Sequence, residues 1–308
     1  MSAIQVGQQA RPAGILPATQ PHAPITTAGR AAPPQARFAA VAVPMASPVS
    51  TGEPIVYAGD ASQKDKVIVS CAFGGSHYLQ RQHKFLHYVQ KEASQYPRVV
   101  FNCLPTGCPQ HSTTTKGAYA FKIHAIQNAI DRGYRYVLWL DTTMIVVKPL
   151  QPLWDCIAEH GWYICPQSGA RLGEYTSDEA LDIYGIDREL AMHIQLPYSG
   201  IVGLDMKGVG GDIWREWKKL CAAGAFMGHH HAPGHGSAGG GKTVGKVSDD
   251  PRVSGHRHDE SALGYVLYKL GLTYWYAEGD RWYYPNRGLF AHETPDTGLI
   301  AHINTMRI

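Results

Sequence analysis

Short apolar runs alternate with helical segments in the middle of this 308-residue chain. The runs at 66–73 (KVIVSCAF), 98–104 (RVVFNCL) and 134–140 (YRYVLWL) are rich in β-branched and aromatic residues, as buried strands are. Between them, segments 76–96 and 117–132 carry apolar residues at helical spacing. Strands that are apolar along their whole length need cover on both faces, which is typical of parallel sheets. The sequence therefore predicts an α/β fold with a mostly parallel central sheet flanked by helices.

The later part of the chain continues this pattern. Further strands are predicted at 145–147 and 199–205, and helices at 177–195, 212–223 and 259–270. A chain of this length accommodates these elements in one large α/β domain.

The ends of the predicted strands are the first places to look for a binding site. In parallel α/β sheets, ligands bind beyond the carboxyl ends of the strands. We therefore expect binding residues after Phe73, Leu140 and Leu204. Gly74 follows the first of these strands, and Asp141 follows the third predicted strand directly.

The first 62 residues differ in composition from the rest. Nine of the twenty prolines precede position 55, and Glu53 is the first acidic residue. Such a stretch cannot bury enough apolar surface to offset the entropy lost on ordering. We expect residues 1–62 to be a disordered Ala/Pro-rich tail and residues 63–308 to be the folded domain. The arginines of the tail, with no acidic residue near them, also leave an organelle transit peptide open.

The overall composition excludes few classes of protein. A formal net charge of +3 is too mild to indicate nucleic-acid binding. No apolar run approaches the length of a membrane span, and no secretory signal is evident. We expect a cytoplasmic protein whose cysteines are reduced, because Cys71, Cys103, Cys156 and Cys165 lie in or beside apolar runs. A zinc site is not expected, because Cys103 and Cys108 have no second pair at a zinc-finger distance.

The segment 134–152 (YRYVLWLDTTMIVVKPLQP) carries the most informative motif. A predicted strand ends in Asp141, a short polar step follows, and a second apolar stretch leads into Lys-Pro-Leu at 148–150. This order resembles the acidic-motif segment of glycosyltransferases with the GT-A fold, usually an apolar strand, Asp-x-Asp, a further apolar stretch and often Lys-Pro-Leu. The resemblance covers about residues 66–304 and implies a Rossmann-like GT-A sandwich.

The resemblance implies a divalent metal, Mn²⁺ or Mg²⁺, that neutralises a nucleotide diphosphate. Asp141 and Thr143 occupy the two acidic positions of the motif, but the threonine offers only a neutral oxygen. A histidine near the chain end often completes the metal site in this family; His302 is the preferred candidate, and His292 is the second. The missing second Asp leaves open a weakly held metal, a substitute ligand, or an enzyme that is metal-independent or inactive. Asp141 taken alone also fits a plain strand-to-turn junction.

Two further segments resemble donor-binding parts of the family. Lys122 lies on the predicted helix before the Asp141 strand, where GT-A enzymes often have a basic residue that faces the donor. The segment 196–205 (LPYSGIVGLD) resembles the strand beneath the donor sugar, where glycine permits close backbone approach. The donor-binding residues implied are Phe73, Gly74, Lys122, Asp141, Thr143, Ser199 and Gly200.

An acidic helix start supplies the candidates for acceptor chemistry. His258-Asp259-Glu260 opens an apolar helix and resembles the family's Asp-Gln/Glu-x-x-Leu segment. If the resemblance holds, Asp259 or Glu260 orients the acceptor or takes its proton as a general base. An acid at a helix N-terminus is also favoured by electrostatics alone, whatever its function.

A Gly- and His-rich segment at 228–255 precedes this helix. We expect it to be a mobile loop, either a lid or acceptor loop or an insertion with no chemistry. Residues 236–243 (GSAGGGKT) formally match a phosphate-binding P-loop. A true P-loop follows a buried strand and opens a helix, and the flanking sequences fit neither requirement.

The predicted function is therefore transfer of a sugar from a nucleotide-diphosphate donor. The acceptor stays open between a glycan, a protein, a small molecule and a modified nucleic acid. Two alternatives remain: a nucleotidyltransferase, although Phe73 to Ser76 poorly matches its expected phosphate loop, and a glycosyltransferase-like protein that binds nucleotide or glycan without turnover.

Overall fold

The computed structural model describes residues 50–236, 242–272, 290–293 and 300–302. The predicted tail up to residue 49 lies outside this part of the chain. The strands are β1 (Thr51–Gly52), β2 (Ile55–Tyr57), β3 (Lys66–Cys71), β4 (Arg98–Phe101), β5 (Leu104–Pro105), β6 (Tyr136–Leu140), β7 (Met144–Val146), β8 (Trp162–Arg171), β9 (Gln195–Asp205), β10 (Phe290–Glu293) and β11 (Ile300–His302). The α-helices are α1 (Ser76–Ala93), α2 (Ala120–Asp131), α3 (Gln151–His160), α4 (Asp178–Tyr184), α5 (Arg188–His193), α6 (Val209–Ala223) and α7 (Asp259–Lys269).

The main sheet has six strands in the order β2-β4-β3-β6-β9-β8. Only the β4-β3-β6 core is parallel, whereas β2, β9 and β8 each pair antiparallel with their neighbours. The prediction of a mostly parallel sheet is therefore wrong, and the sheet is mixed. The physical reason is that burial on both faces produces the same apolar pattern in a strand of either direction.

Helices cover both faces of this sheet, as predicted. Val67 and Val69 of β3 point to one face, which packs against α2, α6 and α7. Ile68, between them, points to the other face, which packs against α1 and α3. This alternation follows from the two-residue period of a strand, and each fully buried aliphatic side chain contributes about 1.5–3 kcal/mol to stability.

The folded part begins earlier than the predicted boundary at residue 62. β2 pairs antiparallel with β4, and β1 pairs parallel with β5. The sequence did not indicate β2 because it is an edge strand, so Ile55 and Val56 are exposed and form no buried apolar run.

The predicted helix at 177–195 is two helices. Gly185 adopts a left-handed conformation (φ 69°) that ends α4, and the Asp187 side chain accepts a hydrogen bond from Leu190 N–H at the start of α5. Glycine adopts this conformation without the strain that a Cβ would cause, so α4 ends here. The apolar residues keep their helical spacing across this break, which is why the sequence predicted a single helix.

The described residues of the Gly- and His-rich segment are packed together. Ala232, Val247 and Val253 form a small buried cluster, and His231 bridges to Val244. The mobility of this segment stays a prediction. None of the described helices combines the length and apolar character that a membrane crossing requires.

The antiparallel course of β9 places Asp205 at the opposite edge of the sheet from Asp141. Arg135 there donates two hydrogen bonds to the Asp205 carboxylate, at 2.9 and 2.8 Å, and Lys207 N–H donates a third at 3.0 Å. The end of β9 therefore does not reach the edge where Asp141 lies, because only a parallel strand would bring it there; a binding role for the residue after Leu204 stays a prediction. Asp205, the last residue of β9, instead forms an ion pair with Arg135, which directly precedes β6.

We expect Asp205→Asn to lower the free energy of unfolding by about 1.5–3 kcal/mol, because it removes a charge-assisted bidentate contact at a buried carboxylate. Chemical denaturation measures this change. The matched control is Asp212→Asn, whose partner Arg215 is also an arginine but whose side chain is exposed. We expect a change within about 0.5 kcal/mol for the control. Equal effects in the two variants would contradict the role of Asp205.

Candidate functional site

A polar site lies at the edge of the sheet where β3 and β6 end. Asp141 directly follows β6, and its backbone N–H donates to the Gly200 carbonyl of β9 at 2.9 Å. Because β9 runs antiparallel to β6, its first half, with Ser199 and Gly200, lies beside Asp141. The structure thus brings Ser199 and Gly200 beside Asp141, and their role in donor binding stays a prediction.

The buried ammonium of Lys122 is at the centre of this site. Its Nζ donates to Asp259 Oδ2 at 2.6 Å, to the Ser199 carbonyl at 2.9 Å and to Ser199 Oγ at 3.2 Å. Asp141 Oδ1 lies 3.5 Å from the same nitrogen. The ring of Trp139 lies 5.3 Å away, within range of a cation–π interaction. Residues from α2, β6, β9 and α7 thus meet at one charge.

The two carboxylates keep this lysine charged. Burial lowers the pKa of Lys122, but Asp141 and Asp259 more than offset that effect, so the pKa is raised from its ordinary value. The Lys122 side chain is only 3% exposed. Direct contact with a donor stays a prediction, and the burial favours an indirect role in which Lys122 orients Asp141 and Asp259.

Asp141 is the accessible carboxylate of the site. Its side chain is 36% exposed, compared with 4% for Asp259. Trp139 Nε1 donates to Asp141 Oδ1 at 2.7 Å, which fixes the orientation of the carboxylate. Thr143 is half-buried two residues further on, and the Tyr198 hydroxyl lies close to it. Burial, followed by the charge of Asp141, raises the pKa of Tyr198 well above its ordinary value.

Gly200 has a local role that the sequence did not suggest. A Cβ at this position would lie 2.5 Å from the Tyr198 ring, which occupies the space over the glycine. The glycine therefore permits close approach of a side chain of its own strand. Approach of a donor sugar to this position stays a prediction.

Asp259 and Glu260, in the first turn of α7, have different surroundings. The Asp259 carboxylate is held by Lys122, and its backbone carbonyl accepts from Trp217 Nε1 at 2.9 Å. Glu260 is half-buried, and burial, with the charge of Asp259, raises its pKa to about 8. Glu260 is thus the carboxyl with the raised pKa, whereas the Asp259 carboxylate is hydrogen-bonded within the buried network.

Phe73 and Gly74 lie at the end of β3. The Phe73 ring packs edge-to-face on Phe121, with centroids 4.9 Å apart, and on His111 at 5.7 Å. Phe73 therefore borders the site through an aromatic cluster next to Lys122. Gly74 is exposed in a left-handed conformation (φ 87°), and a Cβ there would meet nothing within 4 Å.

Tyr119 and His258 also border the site; the sequence did not indicate Tyr119 and assigned no role to the His258 side chain. They precede α2 and α7, and their rings stack at a centroid distance of 4.7 Å. Both have positive φ, 49° and 53°. Bulky residues in this region cost about 1–3 kcal/mol each, and such strain concentrates at functional sites. No sequence signal reports a positive φ at a tyrosine or a histidine.

The described residues do not assemble a metal site on their own. Within this part of the chain, no group of three or more His, Cys, Asp and Glu side chains is placed to hold an ion. Asp141 is a single carboxylate, and one of its oxygens already faces Trp139 and Lys122. The backbone of His302 pairs with Ala291, which pairs with Ile145 of β7. The candidate thus lies two strands from the segment after Asp141, and its role as a ligand stays a prediction.

No protein-family model matches the chain, and no curated protein sequence matches it. Solved structures similar to it include an active-site mutant of LgtC, with a TM-score of 0.30 and 13% identity. The galactosyltransferase LgtC in complex with donor and acceptor sugar analogues has a TM-score of 0.27 and 12% identity. Each match covers 70% of this chain and 99% of the other.

Similarity at this level does not define a function. The structure itself defines the class of the protein: a mixed α/β sandwich with a polar, partly buried site at one edge of its central sheet.

We expect Glu260→Gln to change how stability depends on pH. Because the folded-state pKa is raised, the protonated carboxyl contributes stability that is fully present below the unfolded pKa. That contribution is lost as pH rises through about 8. The variant cannot ionise, so its stability relative to wild type should improve from about pH 5 to about pH 9, by at most about 1.4 kcal/mol per pH unit.

Thermal unfolding across this pH range measures the difference. Glu179→Gln, at an exposed position in the first turn of α4, is the matched control and should track wild type. A Glu260→Gln curve parallel to wild type would show that Glu260 ionises normally in the folded protein.

Proposed function

We propose that this chain is a glycosyltransferase with a GT-A-like fold that moves a sugar from a nucleotide-diphosphate donor to a hydroxyl-bearing acceptor. One observation carries the proposal. The buried Lys122 ammonium contacts Asp141, Ser199 and Asp259. These four residues belong to separate segments, each of which resembles a donor or acceptor element of the family. Lys122 and Asp259 are 137 positions apart in sequence.

The donor's ribose and sugar would bind at Asp141. Its carboxylate is accessible and accepts hydrogen bonds only, so it suits the hydroxyl groups of a ribose or a hexose. Trp139 and Lys122 hold this carboxylate in place, which reduces the entropy cost of positioning the donor. Ser199 and Gly200 form the neighbouring wall.

The acceptor would bind beside Glu260. In the proposed transfer, the acceptor oxygen bonds to the anomeric carbon, and the bond from that carbon to the diphosphate oxygen breaks. The electron pair stays on the diphosphate, and the acceptor proton passes to the ionised form of Glu260. A pKa of about 8 makes Glu260 a better base than an ordinary carboxylate, and Asp259 supports it as a positioning residue.

The proposal includes a divalent metal, Mn²⁺ or Mg²⁺, whose binding the experiment below tests. Asp141, Thr143 and His302 are the proposed ligands, but the described side chains supply a single carboxylate. A metal bound there would stabilise charge on the diphosphate. The positioning roles of Lys122, Trp139 and Glu260 do not depend on it.

We expect the full chain to be stabilised by at least one nucleotide-diphosphate sugar in a thermal-shift panel with Mn²⁺ or with EDTA. A donor at about 100 times its Kd adds about 2.7 kcal/mol to stability. Asp141→Asn should abolish the shift, because the amide cannot accept from the Trp139 indole and from the donor in the same way. Asp182→Asn, at an exposed position on α4, should keep the shift.

The panel separates the alternatives. A shift only with Mn²⁺ supports the metal site, and a shift in EDTA supports a metal-independent enzyme. Donor binding without release of sugar, to water or to any acceptor, would favour the non-catalytic alternative, for which Thr143 in place of an acid is the supporting observation. No shift with any nucleotide sugar would contradict the proposal.

A further inference from the structure

Arg257 carries a charge that no carboxylate of the described residues balances within salt-bridge distance. It lies two residues before α7, beside Glu260. One guanidinium nitrogen, Nη1, contacts His230 Nε2. Its other side-chain N–H groups make no hydrogen bond within the described part of the chain, and the residue is half-buried. A guanidinium donates from several N–H groups and suits the oxygens of an anion.

The position of Arg257 is nevertheless fixed. Its guanidinium carbon lies 4.9 Å from the centre of the Tyr175 ring. Its backbone N–H donates to the Tyr175 carbonyl at 3.0 Å and to Ser261 Oγ at 3.2 Å. A cation that is held without a counter-charge is pre-organised for a ligand, because little entropy is lost when the ligand binds.

Two buried histidines determine which atoms of this cluster donate. The Phe226 carbonyl can only accept, so His258 Nδ1 donates to it at 2.9 Å and His258 Nε2 is an acceptor. His230 Nδ1 then donates to that atom at 3.3 Å, which leaves His230 Nε2 as the acceptor for Arg257. Burial lowers the pKa of His230 to about 3, so this chain of bonds is neutral near neutral pH and adds no charge to Arg257.

Lys242 and His231 lie in the same region. Lys242 precedes Thr243, whose carbonyl accepts from His231 N–H at 3.0 Å and whose hydroxyl lies 2.9 Å from Thr113 Oγ1. Burial, followed by the charge of Arg257, lowers the pKa of Lys242, and the same two causes lower the pKa of His231. The His230 ring, which contacts Arg257, packs edge-on against the His231 ring at a centroid distance of 4.7 Å, so these contacts link Arg257 to the segment that carries Lys242.

This basic cluster borders the Asp141 site. Arg257 lies two residues before Asp259, whose carboxylate pairs with Lys122 at 2.6 Å, and Lys122 lies 3.5 Å from Asp141. The Tyr119 ring stacks on His258, which follows Arg257 directly. A ligand that extends from Asp141 past Tyr119 would therefore reach Arg257.

We infer that Arg257 and Lys242, next to His231, form an anion subsite that binds the diphosphate of the donor through these two protein cations. The inference rests on the proposed function, and it names the part of the protein that stabilises the leaving group. The guanidinium fork matches two phosphate oxygens, and Lys242 adds a point charge. Both would stabilise the electron pair that the diphosphate retains when the bond to the anomeric carbon breaks.

The subsite also explains the formal P-loop match. Lys242 and Thr243 are the Lys-Thr of that pattern, yet no α-helix begins between 242 and 258. A P-loop opens a helix directly after its Lys-Thr, so the described residues do not meet that requirement. In the proposed subsite, the side chain of Lys242 contacts the anion.

The test measures binding of inorganic pyrophosphate to the full chain in EDTA by calorimetry. We expect Arg257→Gln to weaken binding by at least about tenfold and Lys242→Gln to weaken it several-fold, because each removes a charge-assisted contact. Arg252→Gln is the matched control: it lies in the same segment, but its guanidinium is already paired with Asp250 and Glu189. The control should bind pyrophosphate as wild type does.

Lys242 is exposed, so its variant tests the inference even if Arg257→Gln fails to fold, and Arg257→Lys provides a second folded variant. Absence of pyrophosphate binding in wild type, or equal binding in wild type, Arg257→Gln and Lys242→Gln, would overturn the subsite. Nucleotide-sugar binding that depends on Asp141 but not on Arg257 or Lys242 would overturn it while the proposed function stands. Arg257-dependent pyrophosphate binding with no nucleotide-sugar binding would support the subsite and contradict the proposed function.

Discussion

The ion pair between Lys122 and Asp259 is the interaction on which the rest of the site depends. Their nitrogen and oxygen lie 2.6 Å apart and both side chains are almost fully buried. Either charge left alone in this interior would cost several kcal/mol, so α2 and α7 must be positioned together. The same ammonium binds Ser199 of β9 and faces Asp141 at the end of β6. One charge therefore links four elements and leaves Asp141 as the accessible acid.

The direction of β9 decides which residues reach this charge. An antiparallel β9 brings Ser199 to the edge where β6 ends, and takes Asp205 to the other edge, where Arg135 pairs with it. A parallel strand would exchange these two ends. The site would then have the Asp205 carboxylate in place of Ser199, whose carbonyl and hydroxyl oxygens both accept from the Lys122 ammonium. The mixed sheet is thus a condition for the polar network.

The sequence predicted those features that depend on local chemistry. Strand and helix positions follow from apolar periodicity, and Asp141, Lys122 and Asp259 were identified because each stands at an element end or helix face where the GT-A resemblance expects it. Strand direction was not predictable, because a strand covered on both faces is apolar in either direction. The stacked pair Tyr119 and His258 was not predictable either, because tertiary contacts impose their positive φ.

The most direct test of the central claim is an NMR observation of the Lys122 ammonium in protein labelled with ¹⁵N-lysine. Exposed ammonium protons exchange rapidly with water near about pH 7, whereas a buried, hydrogen-bonded ammonium is protected. We expect a protected NH₃⁺ resonance that disappears in Lys122→Arg and persists in Lys218→Arg, a change at an exposed lysine of α6. A Lys122 nitrogen that resonates as a neutral amine, or no protected resonance, would contradict a site organised around this charge.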